Sequence, residues 1–257
     1  MIGFRRKLTL FALLAGLLAG AAAFGYAAPT IDDFSRALST LPVKSGDRIL
    51  AAIEEGLTQP GFPAEGILQL IEVLAVTPGS IEEKEGILIL VTRTIEEGLP
   101  VDGILAKGFD LTAALGEGLP IEGIVLEALK GFAQRAPLPA IEYGISQRLI
   151  LLRAVRDLLF EKEIFSVPPG APQTTPTALP AARFNELLLQ ISDAVSDYLD
   201  GGGSPFEGEV LLEQVTDRLT RLPEEVIPAS DVELVLDRIT ATDLTGVALA
   251  ALSQPAE

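Results

Sequence analysis

Ile53-Glu54-Glu55-Gly56-Leu57 returns letter for letter as Ile95-Glu96-Glu97-Gly98-Leu99, a step of 42 residues, and the second copy runs on as Pro100-Val101-Asp102-Gly103. Self-similarity on this scale marks a stacked helical repeat, in which each unit needs its neighbours to bury its apolar face. The joint has a direct physical reading. Gly takes the left-handed conformation that ends a helix, and Leu packs back on the last turn. Pro then opens the next helix at its first position, where a missing N–H costs nothing. Asp102 complements the positive helix N-terminus. The same joint recurs at Gly118-Leu119-Pro120, followed by Glu122. Consecutive helices must therefore fold sharply against each other, as in helical hairpins.

The signature Pro-X-acidic-Gly begins at Pro63, Pro100, Pro120 and Pro205, with looser copies from Pro42 to Gly46 and from Pro139 to Gly144. Gly inside a helix costs about 1 kcal/mol against Ala. Its return at one point of successive units predicts that neighbouring backbones cross closely there. Capping boxes are read at Thr30/Asp33, Ser80/Glu83 and Ser230/Glu233. Helices are expected from Thr30 to about Leu41, Pro42 to Glu55, Pro63 to Leu74 and Ser80 to Glu97. The longest, Pro139 to Lys162, carries the widened apolar stripe Leu149-Ile150-Leu151-Leu152 and is expected to be central.

The expected fold is all-α, an irregular α-solenoid-like array of helical hairpins with about 20 residues per helix unit and no β-sheet. Residues 1–27 read as a secretory signal peptide: Arg5-Arg6-Lys7, an apolar run from Leu8 to Ala23, and a small-residue cut after Ala27. An uncleaved anchor helix is the alternative. Residues 28–165 form the first helical block. Residues 166–180, with Pro168, Pro169, Pro172 and Pro176, read as a linker or long loop. Residues 181–257 form a C-terminal helical block expected to dock on the first, because the Pro205 unit shares the signature.

Composition excludes much chemistry. The 257 residues contain no Cys, no His and no Trp, so a Ser-His-Asp triad, a Cys nucleophile and a zinc site of the usual ligands are all ruled out. The formal charge is −17 and becomes −20 once the three cations of the leader are removed. So acidic a chain disfavours nucleic acid and anionic lipid, which are bound through Lys and Arg. No cofactor is expected.

Two sets of acids were candidates for a site. The pairs Glu54-Glu55, Glu82-Glu83, Glu96-Glu97 and Glu224-Glu225 diverge by about 100° on a helix and read as solvated edges. Asp197, Asp200, Glu207 and Glu209 around Gly201-Gly202-Gly203 make a weak Ca²⁺ candidate. Their spacing does not match a helix–loop–helix calcium loop, and an ordinary acidic turn also accounts for them.

These features together describe an exported, non-catalytic helical-repeat protein of the bacterial periplasm or exterior. It is expected to bind an unidentified protein or peptide, a basic one suiting the acidic surface, without a stable membrane span once the leader is removed. The competing readings are a secreted carboxylate-dependent hydrolase and an amphipathic helical protein of the membrane surface. Mass spectrometry of the exported chain should place its N-terminus at Ala28; a chain still carrying residues 1–27 would overturn the leader.

Overall fold

A computed structural model describes residues 28–167 and 177–252; residues 1–27, expected to be a signal peptide, residues 168–176 of the Pro-rich segment and residues 253–257 lie outside the described residues. Seven helices precede that segment: α1 (Ile31–Leu38), α2 (Gly46–Gly56), α3 (Ala64–Val76), α4 (Ile81–Glu96), α5 (Val101–Gly116), α6 (Glu122–Ala133) and α7 (Leu138–Glu161). Four follow it: α8 (Ala181–Asp200), α9 (Gly208–Thr220), α10 (Ala229–Leu236) and α11 (Ala241–Leu252).

The Gly-Leu joints end their helices as the sequence leads one to expect. Gly98 has φ 66°, and its N–H donates to the Ile95 carbonyl at 2.9 Å while the Leu99 N–H donates to Thr94 at 3.0 Å. Gly118 (φ 78°) and Leu119 repeat this pattern onto Leu115 and Ala114. Both are Schellman ends that satisfy carbonyls otherwise left open. The prolines sit slightly earlier than expected: Pro63 and Pro100 are N-cap residues rather than the first helical residue. Gly56 is the last residue of α2, as expected, but without a left-handed turn; the Phe62 ring occupies the space a Cβ there would fill.

Pro42 does not open a helix either. The chain turns through Leu41–Ser45, and α2 begins only at Gly46, capped from a distance by Glu85 of α4, whose Oε1 accepts the Ser45 N–H at 2.7 Å. The boxes at Thr30/Asp33 and Ser80/Glu83 are present. Ser230 instead lies inside α10, which starts after Pro228, and Thr240 with Asp243 forms the box that opens α11.

Helices two apart in sequence stack on each other: α1 on α3, α3 on α5, α5 on α7, and in parallel α2 on α4 and α4 on α6. Two rows result, joined by α1–α2, α4–α5 and α6–α7 contacts. Glycines record the regularity of the stacking. A Cβ on Gly66 would come within 2.8 Å of Leu105, one on Gly86 within 2.8 Å of Val125, and one on Gly103 would strike the Glu142 carboxylate. In all three the partner lies 39 residues ahead. The close approach is thus made by a side chain of the next helix in the row, not by its backbone. Gly208 is the exception, lying against the Ala241 carbonyl, while Gly123 and Gly144 face open space.

Beyond α7 the pattern changes. Helix α7 packs on α8 and α11, and α9 packs on the same two, so four helices close on one another with α10 laid against α9. One hydrophobic cluster runs from Phe34 in α1 to Ala251 in α11.

The expectation of no β-sheet is corrected. Strands β1 (Phe165–Val167) and β2 (Ala178–Pro180) pair in parallel, Phe165 opposite Ala178 and Val167 opposite Pro180. The cause is local. Val167 and Leu179 each precede a proline, which pushes the backbone toward the extended region, while buried Ile164, Ala178 and Leu179 hold both stretches against α8. Pairing then satisfies backbone groups beside the core, and Pro180, lacking an N–H, ends the ladder.

Gly208→Ala is expected to lower stability by about 1–3 kcal/mol, since the neighbouring atom is backbone and cannot turn aside. Gly144→Ala, with free space in mid-helix, is expected to raise it by roughly 0.5–1 kcal/mol. Urea unfolding of the two variants checks both signs.

Candidate partner-binding cleft

Arg148 occupies an unusual place for a cation. At about 100° per residue it falls in the middle of the arc formed by Ile141, Ile145, Leu152 and Val155 of α7, all of them buried. Its guanidinium leaves that apolar floor between α6 and α8. Nε and Nη2 donate to the two oxygens of Glu127 at 3.2 and 3.1 Å, and Nη1 donates to Asp193 Oδ1 at 2.9 Å. Arg218 of α9 continues the chain of charges, donating to Asp193 Oδ2 at 3.4 Å, Asp197 Oδ2 at 2.6 Å and Gln190 Oε1 at 2.8 Å. The network thereby joins α6, α7, α8 and α9.

The electrostatics follow from partial burial. Desolvation raises the Asp193 carboxyl above the ordinary carboxylate range, and the pull of Arg148 and Arg218 does not cancel it. Desolvation works against the Arg148 cation, but Glu127 and Asp193 outweigh it and hold the guanidinium charged. One guanidinium is shared between two carboxylates, which is why Asp193 gains less from it than an exclusive pair would give.

Two hollows flank this network and share Ile124, Glu127 and Arg148. One, about 440 Å³, lies between α6 and α8, walled by Pro120, Leu126 and Leu189. Its carboxylates are Glu83, Glu122, Glu127, Glu186 and Asp193, against the single cation Arg148. The other, about 600 Å³, is bounded by the small residues Ala128, Gly131, Ala136, Ala140 and Gly144 on one side and by Leu199, Ala251 and Leu252 on the other. Leu126, Tyr143 and Leu252 are each about half exposed along these hollows.

The acids first considered for Ca²⁺ do not converge. Asp197 pairs with Arg218, Asp200 accepts from Ser196 Oγ at 3.3 Å, Glu207 accepts from the Tyr198 hydroxyl, and Glu209 lies in the first turn of α9. Among the described residues no group of three or more His, Cys, Asp or Glu is placed to hold a metal. The glutamate pairs also have separate tasks: Glu83 closes a capping box and Glu96 accepts both Nε and Nη2 of Arg48, at 2.7 and 2.6 Å. Glu127, Arg148 and Asp193 escaped the sequence reading because they are 21 and 45 residues apart. The usable signal was Arg148 itself, a charge set in an apolar stripe.

Arg148→Gln is expected to cost about 1–3 kcal/mol at pH 7, by leaving Glu127 and Asp193 without their shared cation. The network contributes only while these carboxylates are ionised. The deficit against wild type should therefore shrink as the pH falls through the raised range of Asp193 and below it. Denaturant midpoints of both proteins between pH 7 and pH 3.5 test this, and a deficit independent of pH would refute it.

No protein-family model, curated protein or solved structure matches the chain.

Proposed function

We propose that this chain is an exported, non-catalytic helical-repeat protein of the bacterial periplasm or exterior, and that it binds a protein or peptide partner through the hollows flanking Arg148. The carrying observation is the union of an apolar floor, half-exposed Leu126 and a rim of five carboxylates facing one cation. Export is supported by the basic, apolar and small-residue order of residues 1–27. The repeat is supported by row stacking and by the constant 39-residue distance from glycine to covering side chain.

One observation bears on the hydrolytic alternative. Asp193 sits in a cleft with its carboxyl held above the ordinary range, as a general acid would be. Both of its oxygens, however, accept from guanidinium groups, Arg148 on one side and Arg218 on the other. A carboxyl so engaged orients helices rather than delivering a proton. As for membranes, no helix among the described residues is long and apolar enough to cross one.

The test uses the purified chain as bait on an envelope fraction of the producing organism. A partner retained at low salt should be released near 0.5 M, where the screening length falls well below 10 Å, and Leu126→Lys should abolish its retention. Retention of the same protein by wild type and variant alike would remove the cleft from the reading.

A further inference from the structure

We infer that the α6–α8 cleft takes a cationic amphipathic segment of a protein partner, an aliphatic side chain seated against Leu126 and Leu189 with Lys or Arg beside it. This deepens the partner-binding reading above and rests on it. Charge complementarity names the occupant. Of the five carboxylates around the cleft, Glu127 and Asp193 are held by Arg148. Glu83, Glu122 and Glu186 have no cation partner among the described residues: Glu83 caps α4 from within and Glu186 accepts from the Gln190 amide at 2.8 Å. Three unneutralised charges therefore border one apolar hollow.

Other occupants satisfy only half of this surface. A bare metal ion would leave the Leu126 wall wet, and the carboxylates are not grouped to coordinate one. A second copy of the chain would bring its own surplus of acid, −17 overall, against the same rim. A polypeptide with alternating aliphatic and basic side chains covers the leucines and neutralises the rim in a single contact, as amphipathic segments do in grooves between helices. The open gap follows from the packing, since α6 and α8 both lie on α7 without extensive contact between them.

Binding of a fluorescent synthetic Leu/Lys amphipathic peptide to the full chain tests the inference by anisotropy. The comparators are a Lys/Ser peptide of equal charge and a Leu/Glu peptide. The Leu/Lys peptide should bind at least about tenfold more tightly than either comparator. The double variant Glu122→Gln/Glu186→Gln and the single variant Leu126→Ser should each weaken it about tenfold, a change of roughly 1.4 kcal/mol. Glu54→Gln/Glu55→Gln, on exposed α2 positions outside the cleft, should leave it unchanged. Equal affinity for the Lys/Ser peptide, or an equal loss from the α2 pair, would show general attraction to an acidic surface and overturn the inference. An envelope partner held at the cleft without any affinity for the Leu/Lys peptide would overturn it too, while leaving the partner-binding reading in place.

Discussion

Helix α7 must be covered from several directions at once. Its buried residues, from Ile141 through Leu149, Leu151 and Leu152 to Leu158 and Leu159, span roughly half of the helix circumference at about 100° per residue. Burying each large aliphatic side chain stabilises the fold by about 1.5–3 kcal/mol, and no single neighbour reaches across so wide an arc. Four do it together: α5 and α6 from the preceding rows, α8 and α11 from the chain that follows. The helix thus belongs to both halves of the sequence, and their shared hydrophobic cluster is a consequence. Coverage is incomplete because α6 and α8 both lie on α7 without extensive contact between them. Helix α7 has 24 residues and α6 only 12, about 36 Å against 18 Å at 1.5 Å per residue. Where α6 and α8 fail to meet over α7 the chain places Arg148, whose long stem packs on the floor while its head reaches polar partners.

Cations elsewhere are spent in the same way. Sixteen Lys and Arg lie beyond residue 27, and among the described residues twelve of them are in ion pairs, eight of these with a partner far away in sequence. Arg153 and Arg156 of α7 meet at Glu117, beside the end of α5, and Lys162 meets Asp243 at the start of α11. Pairs this exposed contribute little stability one by one. Their consequence is rather for the surface: with the cations occupied internally, the charge left facing solvent is overwhelmingly carboxylate. The fold's own pairing therefore fixes the sign of what can approach it.

What the sequence disclosed was local, and what it concealed depended on distance. The Gly98-Leu99 and Gly118-Leu119 ends were legible because a left-handed residue and two backbone hydrogen bonds decide them within one turn. The ends at Arg135 (φ 58°) and Glu163 (φ 61°) have the same geometry without glycine, so no residue type announced them. Gly56 ends α2 where the sequence places the end, but the Phe62 ring six residues on, and not a left-handed turn, accounts for the glycine. Pro42 misled because the cap of α2 comes from Glu85, forty residues away. Among the recurring glycines the expected close approach holds at some positions only: Gly66 and Gly103 meet a side chain of the next helix and Gly208 meets backbone, whereas Gly123 and Gly144 face open space. The cleft was the least legible feature of all, since it lies between α6 and α8, helices far apart in sequence that meet over α7 only in the folded chain.

The carboxylate rim carries one more consequence for what the protein does. Carboxylates gathered around one apolar hollow repel one another. Glu83 closes a capping box and Glu122 complements the N-terminus of α6, whereas substituting Glu186 by a neutral residue would relieve that repulsion without breaking an ion pair within the described residues. The same holds for Leu126, half exposed on α6, where a polar side chain would meet water at no expense to the core. Folding gives Glu83 a capping box to close and Glu122 a helix N-terminus to complement, and it leaves Leu126 half exposed beside them. The acid and the leucine are each unremarked alone; their coincidence over α7 is what directs attention to a partner that is both basic and apolar.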